Sequence, residues 1–371
     1  MKNRKKTRII QNTPLRFLMR ALLVLFTVVL LVAAGLIMTL STIFNGPSES
    51  AREILTMSLL EPSATKWIPG LFLGDERVEQ IRAKKGTALP DDVSTPSQIT
   101  INTNPNIHAD AWKDYPDGIR IETVQGDTYT AHVMLIRNPA DVYLATSTEK
   151  FSIDIPGTRI HNQIETEGAI AAINAGAFND DGTSGSYVGS LPTGLVLSKG
   201  EVVWDDGQIY EGFVGFNNDN VLVVASSMNA AKAKELGIRD GCCFGPVLIM
   251  NGAINNIEYS SNSGFNPRTA IGQRADGSII FVCIDGRQVG SLGGTYSDLI
   301  NIMVEYEAVN ACNLDGGSSS VMLYRDTYGK YGSDRKHWGN DIAMINNYSL
   351  LQQDPRRMPT FFMVRPAESE E

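Results

Sequence analysis

Two acids stand where apolar runs stop. In "FVCIDGR" Asp285 closes the run Ile279–Ile284, and in "ACNLDGGSSS" Asp315 closes the run Val309–Leu314. Glycine follows each. A carboxylate fixed at the end of a buried strand can serve as nucleophile or general base. The bare backbone after it lets a ligand approach amide N–H groups, so Asp315 with Gly316, Gly317 and Ser318 offers a carboxylate beside a small anion-accepting nest. A third apolar run ends the same way at Asn174, followed by Ala175 and Gly176. Arg268 opens the segment "RTAIGQRADGSIIFVCID". If Asp276 and Gly277 form a two-residue hairpin loop, counting outward pairs Arg268 with Asp285 on one face. A slip of one residue would send them to opposite faces. The planar guanidinium fork suits a phosphate or a carboxylate.

Rival chemistries find little support. There is no G-x-S-x-G elbow and no G-x-x-x-x-G-K-[ST] loop, so neither a serine nucleophile nor a nucleotide cradle is expected. The histidines, at 108, 132, 161 and 337, lack metal spacing; His161 near Glu165 and Glu167 reads as a surface residue. In "NDDGT" Asp180 and Asp181 could contribute to a Ca2+ loop, but the Glu of an EF-hand is missing and a solvated turn is the plainer reading. No cofactor is required by these residues. Cys242, Cys243, Cys283 and Cys312 contain no C-x-x-C pair and read as buried thiols, with one bridge through Cys242 or Cys243 as the alternative.

The elements that must position the acids can be sketched. "GIRIETVQGDTYTAHVMLIRNP" alternates around Gly126-Asp127 as a hairpin, and further hairpins turn at Lys199-Gly200 and Asn218-Asp219. Between the two acidic strand ends, Thr295 with Asp298 resembles a capping box, and Leu299, Ile302, Met303 and Tyr306 form a helical stripe. Strand, helix, strand makes a βαβ unit whose strands run parallel, so Asp285 and Asp315 emerge at one sheet edge, where ligands of open α/β sheets bind. The expected fold is mixed α+β: a central mixed sheet with hairpins and at least one βαβ unit, flanked by helices, after an N-terminal transmembrane helix.

The net charge is -9, yet residues 1–20 hold only basic charges, so the rest of the chain is more acidic still. That argues against a nucleic-acid partner. Residues 21–44 carry no charge and would span about 36 Å as a helix. The organisation expected is a basic cytoplasmic segment (1–20), a single-pass cell-membrane anchor (21–44), a helical stem (45–82), a polar linker or mobile loop (83–110) and an extracytoplasmic catalytic domain (111–368).

At "IAAINAGAFNDDG", "PRTAIG", "CIDGR" and "ACNLDGGSSSVM" the chain resembles the phosphodiester glycosidase family, over about residues 115–366. Ser318 stands where the family usually has a third glycine, and the anchor and stem are similar to those of bacterial surface members. The closing segment resembles the family's too, which implies that Asn346 and Arg357 lie near the site. The resemblance implies hydrolysis of a sugar C1–O–phosphate linkage in a glycan or cell-surface polymer. In that chemistry Asp315 would be nucleophile or general base, and Asp285 the second carboxylate. Arg268, beside Thr269, would hold the phosphate. Asn174, Gly176, Gly316, Gly317 and Ser318 would meet sugar hydroxyls or phosphate oxygens. Two alternatives are a phosphodiesterase breaking the P–O bond and a non-catalytic polysaccharide-binding module.

Overall fold

A computed structural model of the chain describes residues 13–60, 65–82, 89, 92–99, 109–179, 188–255, 257, 264–288, 290–326, 329–331, 336–339, 341–347 and 354–367. Asp180 and Asp181 lie outside the described residues. Helix α1 (Thr13–Phe44) contains an apolar stretch, Phe17–Phe44, of mean hydropathy 3.0, none of whose most apolar window is buried. Its length and composition suit a membrane anchor or a signal sequence. Four short helices follow, α2 (Glu49–Leu60), α3 (Ile68–Leu73), α4 (Asp75–Arg82) and α5 (Ala109–Trp112). Phe44 at the end of α1 stacks on Phe72 of α3 with ring centroids 5.0 Å apart.

The rest of the chain is mixed α+β. Its strands form three sheets. The first runs in the order β1 (Ile119–Gln125), β2 (Thr130–Ile136), β13 (Ile279–Ile284), β12 (Arg268–Arg274), β14 (Ala308–Leu314), β10 (Val247–Met250), β11 (Ala253–Ile254). The second runs β16 (His337–Trp338), β17 (Ile342–Met344), β15 (Met322–Arg325), β4 (Ala171–Asn174), β18 (Thr360–Val364), β3 (Val142–Thr146). The third runs β6 (Glu201–Asp205), β5 (Leu195–Ser198), β9 (Ile238–Cys243), β7 (Phe213–Asn217), β8 (Leu222–Ala225).

One apolar core lies between all three sheets: Phe281 and Cys312 come from the first, Ile173 and Phe362 from the second, Val214 and Cys242 from the third. Each outer face is closed by a helix. Leu299, Ile302 and Met303 of α8 (Tyr296–Glu305) cover the first sheet; Ile160 and Ile164 of α6 (Ile160–Glu167) cover the second. Ala233 of α7 (Ala230–Glu235) does the same for the third. Burial on both faces explains why "IIFVCI" reads as a continuous apolar run rather than an alternating one. Helix α8 starts on a capping box, with Thr295 N donating to Asp298 Oδ2 at 2.7 Å and Asp298 N donating to Thr295 Oγ1 at 3.2 Å.

Three expectations change. Every ladder among the described strands is antiparallel, so the single mixed sheet becomes three antiparallel ones. Strands β13 and β14 do run parallel across α8, but β12, antiparallel to both, lies between them. The hairpin loop between β12 and β13 has three residues, not two. Arg274 N donates to Ser278 O, and Gly277 takes the left-handed conformation at φ 91° that such a loop needs. The register therefore moves by one, and Arg268 opposes Ile284 rather than Asp285. Part of the expected linker is also built into the fold: Val93 bridges Ala225, and Ser94 N donates to Val224 O at 2.9 Å, which covers the edge of β8.

All four cysteines are buried free thiols. Burial pushes Cys242 and Cys283 well above the ordinary thiol range, and Cys243 up to about 11. The reactive species is the thiolate. A thiol-exchange reagent at pH 7.5 is therefore expected to read no thiol in the folded protein and four after guanidinium unfolding. Rapid labelling of the native chain would contradict the burial.

Candidate active site

Asp285 and Asp315 leave the first sheet at one edge, because β13 and β14 point the same way. With β12 between them, their backbones stand about two strand spacings, ~10 Å, apart. The second sheet meets this edge through Asn174, the last residue of β4. Asn174 is fully buried. Its Nδ2 donates to Asp315 O at 2.6 Å, and its Oδ1 accepts from Thr269 Oγ1 at 2.8 Å and from Val321 N at 3.1 Å. Asp315 N donates to Ala175 O at 3.1 Å. The backbone of Asp315 is thus held on both sides by the end of β4, while its side chain is half-buried and reachable.

The loop after Asp315 is pressed against Pro267. Gly317 N donates to Pro267 O at 2.9 Å. A Cβ at Gly316 would fall 2.8 Å from that oxygen, so that position requires glycine, and Gly317, left-handed at φ 60°, sits where glycine is favoured. Ser319 N and Ser320 N then turn back to Gly316 O and Gly317 O. These amides are spent inside the protein, which corrects the expected anion nest at Gly317. Ser318 is exposed, and its Oγ accepts from Arg356 Nη1 at 3.2 Å. The Arg356 guanidinium lies 4.8 Å from the Phe178 ring centroid.

Asp285 has a different environment. It is fully buried. Oδ1 lies 3.0 Å from His132 Nε2 and accepts from Asn347 N at 2.8 Å; Oδ2 accepts from Asn347 Nδ2 at 2.7 Å and Gln288 Nε2 at 3.2 Å. Four donors on two oxygens make this carboxylate a knot that ties β2, the loop after β13 and residues 346–347 together. Its acceptor positions are taken by these described groups, so it is not placed to orient water or Arg268 as the expected second carboxylate would.

Arg268 corrects the prediction most sharply. The one-residue register change carries it to the α8 face of the sheet, opposite Asp285. There it is 3% exposed, donating from Nε to Gly294 O at 3.2 Å and from Nη2 to Gly264 O at 2.9 Å, with its guanidinium 4.3 Å from the Tyr296 ring centroid. It holds two loops together and does not face Asp285. Arg357 is also displaced, since its Nη1 donates to Gly157 O at 3.0 Å. Asn346 is buried; it accepts Met322 N at 2.8 Å and donates to Ser320 O at 3.2 Å, which fixes the segment following the Asp315 loop. Gly176 serves packing: a Cβ there would fall 2.8 Å from Cys242 Cβ.

The structure therefore gathers Asn174, Thr269, Gly316, Gly317, Ser318 and Asn346 around Asp315, and turns Arg268 and Arg357 elsewhere. Sequence reasoning missed Arg356, His132, Gln288 and Asn347. Arg356 adjoins Arg357, and no local pattern chooses between neighbours ahead of β18. His132 carried a signal, a lone polar ring inside the apolar strand "TAHVMLI". The N-terminal region reaches this edge as well: Phe265 N donates to Ser58 Oγ of α2 at 2.7 Å, and Arg287 Nη2 donates to Asn266 Oδ1 at 2.6 Å and to Ser58 O.

The phosphodiester glycosidase family model matches residues 167–365, which include Asn174, Asp285, Asp315 and Arg356. The catalytic domain of zebrafish N-acetylglucosamine-1-phosphodiester alpha-N-acetylglucosaminidase, described as auto-inhibited by its pro-peptide, superposes with a TM-score of 0.54 at 18% identity, over 78% of this chain and 93% of that one. An SPbeta prophage-derived uncharacterized protein of Bacillus subtilis (strain 168), YomE, is 27% identical over 205 residues, 53% of this chain and 30% of the relative. The chain thus matches about a third of that relative's length. With the family model spanning more than half of its residues, this chain belongs to the phosphodiester glycosidase family.

Proposed function

We propose that the chain hydrolyses the C1–O bond of a sugar-1-phosphodiester in a glycan at the outer face of a membrane, releasing sugar and a phosphomonoester. The observation that carries this reading is Asp315: a reachable carboxylate on a backbone pinned by Asn174 and Ala175, with Arg356 fastened to the same loop at Ser318. Phosphate is a good leaving group, so the reaction needs chiefly a nucleophile or activated water and neutralisation of the departing charge. Asp315 supplies the first, by attacking C1 or by deprotonating water. Arg356 takes the phosphate role that the sequence had suggested for Arg268. Asp285 and His132 act behind them by fixing residues 346–347. The apolar helix Phe17–Phe44 serves as the anchor, with the basic residues before it in the cytoplasm.

Hydrolysis in 18O-water tests the bond assignment. Label entering the sugar supports C1–O cleavage, and label entering phosphate replaces it with a phosphodiesterase. Saturable glycan binding with no turnover would leave only a binding module. Replacing Arg356 by Ala removes a charge-assisted contact worth about 1.5–3 kcal/mol. At 1.4 kcal/mol per tenfold, KM for phosphodiester substrates is expected to rise about 10- to 100-fold. An equal loss on an uncharged aryl glycoside would remove Arg356 from phosphate recognition.

A further inference from the structure

Beside the Asp315 loop, on the far side of Phe178, lies a cleft of about 620 Å³. That is within the ~300–1,000 Å³ of small-ligand sites. Three aromatic residues line it, Phe178, Trp204 and Tyr210, with Thr193, Asp206 and Gln208 among them. Each aromatic is half-exposed and rooted in a different apolar cluster: Trp204 in the core between the sheets, Phe178 under the second sheet, Tyr210 under the third. The cleft therefore opens where second and third sheets meet, and its walls are held by separate parts of the fold.

We propose that this cleft binds a neutral saccharide unit next to the scissile linkage. Half-exposed aromatic rings offer flat apolar platforms of the kind that meet the C–H face of a sugar, and a few fixed polar groups set orientation. Asp206 is pre-aimed by two backbone donors, Gly194 N to Oδ2 at 2.8 Å and Gln208 N to Oδ1 at 2.9 Å. A carboxylate has acceptor capacity beyond those two bonds, which suits paired hydroxyls. Burial, with help from Asp206, raises the Tyr210 hydroxyl above the ordinary phenol range, so it stays protonated and able to donate. Among the described lining residues Asp206 is the only charged one, and its negative charge disfavours a phosphate inside but not an uncharged polyol.

The position agrees with this assignment. Ala175, whose carbonyl holds Asp315, is three residues from Phe178, about 10 Å along extended chain. Arg356 spans that interval, reaching Ser318 Oγ while packing over Phe178. A phosphodiester at Arg356 would thus place its neighbouring sugar in the cleft. That adjacency to the scissile bond rests on the hydrolase reading; the cleft's preference for a neutral sugar does not.

The test separates the two. The full chain in detergent, carrying Asp315→Asn to prevent turnover, is titrated calorimetrically with neutral tetrasaccharides: chitotetraose, maltotetraose and cellotetraose. At least one is expected to bind saturably, and Trp204→Leu and the exposed-loop variant Gln208→Ala are each expected to weaken it tenfold or more. No binding by any of the three, or binding untouched by both variants, overturns the cleft assignment. Binding found together with no turnover by the parent chain on any sugar-1-phosphodiester upholds the cleft and sinks the hydrolase reading. Turnover of a short substrate with no tetrasaccharide binding does the reverse.

Discussion

Asp315→Asn is expected to lower kcat by about 10²–10⁴-fold, the range of a positioned acid–base or nucleophilic group, with little change in melting temperature. The reason for intact stability is geometric. Two contacts that hold this residue run to its backbone, from Asn174 Nδ2 to its carbonyl and from its N–H to Ala175 O, and an isosteric amide leaves both in place. Circular dichroism and thermal unfolding establish that the variant is folded; initial rates on a sugar-1-phosphodiester then report chemistry alone. Unchanged turnover by a folded variant would end the assignment of Asp315. The anomer of the first-formed sugar, read by proton NMR, separates direct attack from water activation, because two displacements retain configuration and one inverts it.

Asp285→Asn is expected to act the other way, on stability first. All four groups around the carboxylate donate to it: His132 Nε2, Asn347 N, Asn347 Nδ2 and Gln288 Nε2. An amide must turn its own NH₂ toward some of those donors, whichever way it is flipped. Leaving a buried donor without its acceptor costs about 1–3 kcal/mol, and more than one donor is affected here. For a domain of this size that is a fall on the order of 10 °C in melting temperature. Guanidinium unfolding should show the same loss with an unchanged m-value. A variant as stable as the parent, but without activity, would mean that Asp285 touches the reaction directly rather than through residues 346–347. Asp285→Asn and Asp315→Asn thus form a pair of opposite outcomes: one folded and slow, the other destabilised.

How much of the site was legible is best seen in three residues. Asp315 could be found from "NLDGG" because strand ends, the parallel strands of a βαβ unit and glycine turns are local or nearly local rules, and they put both acids at one edge without any knowledge of packing. Arg268 could not be placed, because its face depends on a single residue in the loop at Asp276-Gly277. A two-residue and a three-residue turn read alike in sequence, and they send the guanidinium to opposite sides of the sheet. Asn174 was recognised as a strand end but not as a brace, since its partners, Thr269, Asp315 and Val321, arrive from elsewhere in the chain.

The sequence alone determined the apolar N-terminal helix, the mixed α+β class, the family and the shared sheet edge of Asp285 and Asp315, because these follow from periodicity, composition and motifs of a few adjacent residues. Only the tertiary structure decided which carboxylate is reachable and which is knotted, which arginine meets the Asp315 loop, and that an aromatic cleft opens beside it. Those outcomes depend on how three sheets close on one core, and burial and hydrogen-bond partners there are properties of distant segments meeting, which no local pattern encodes.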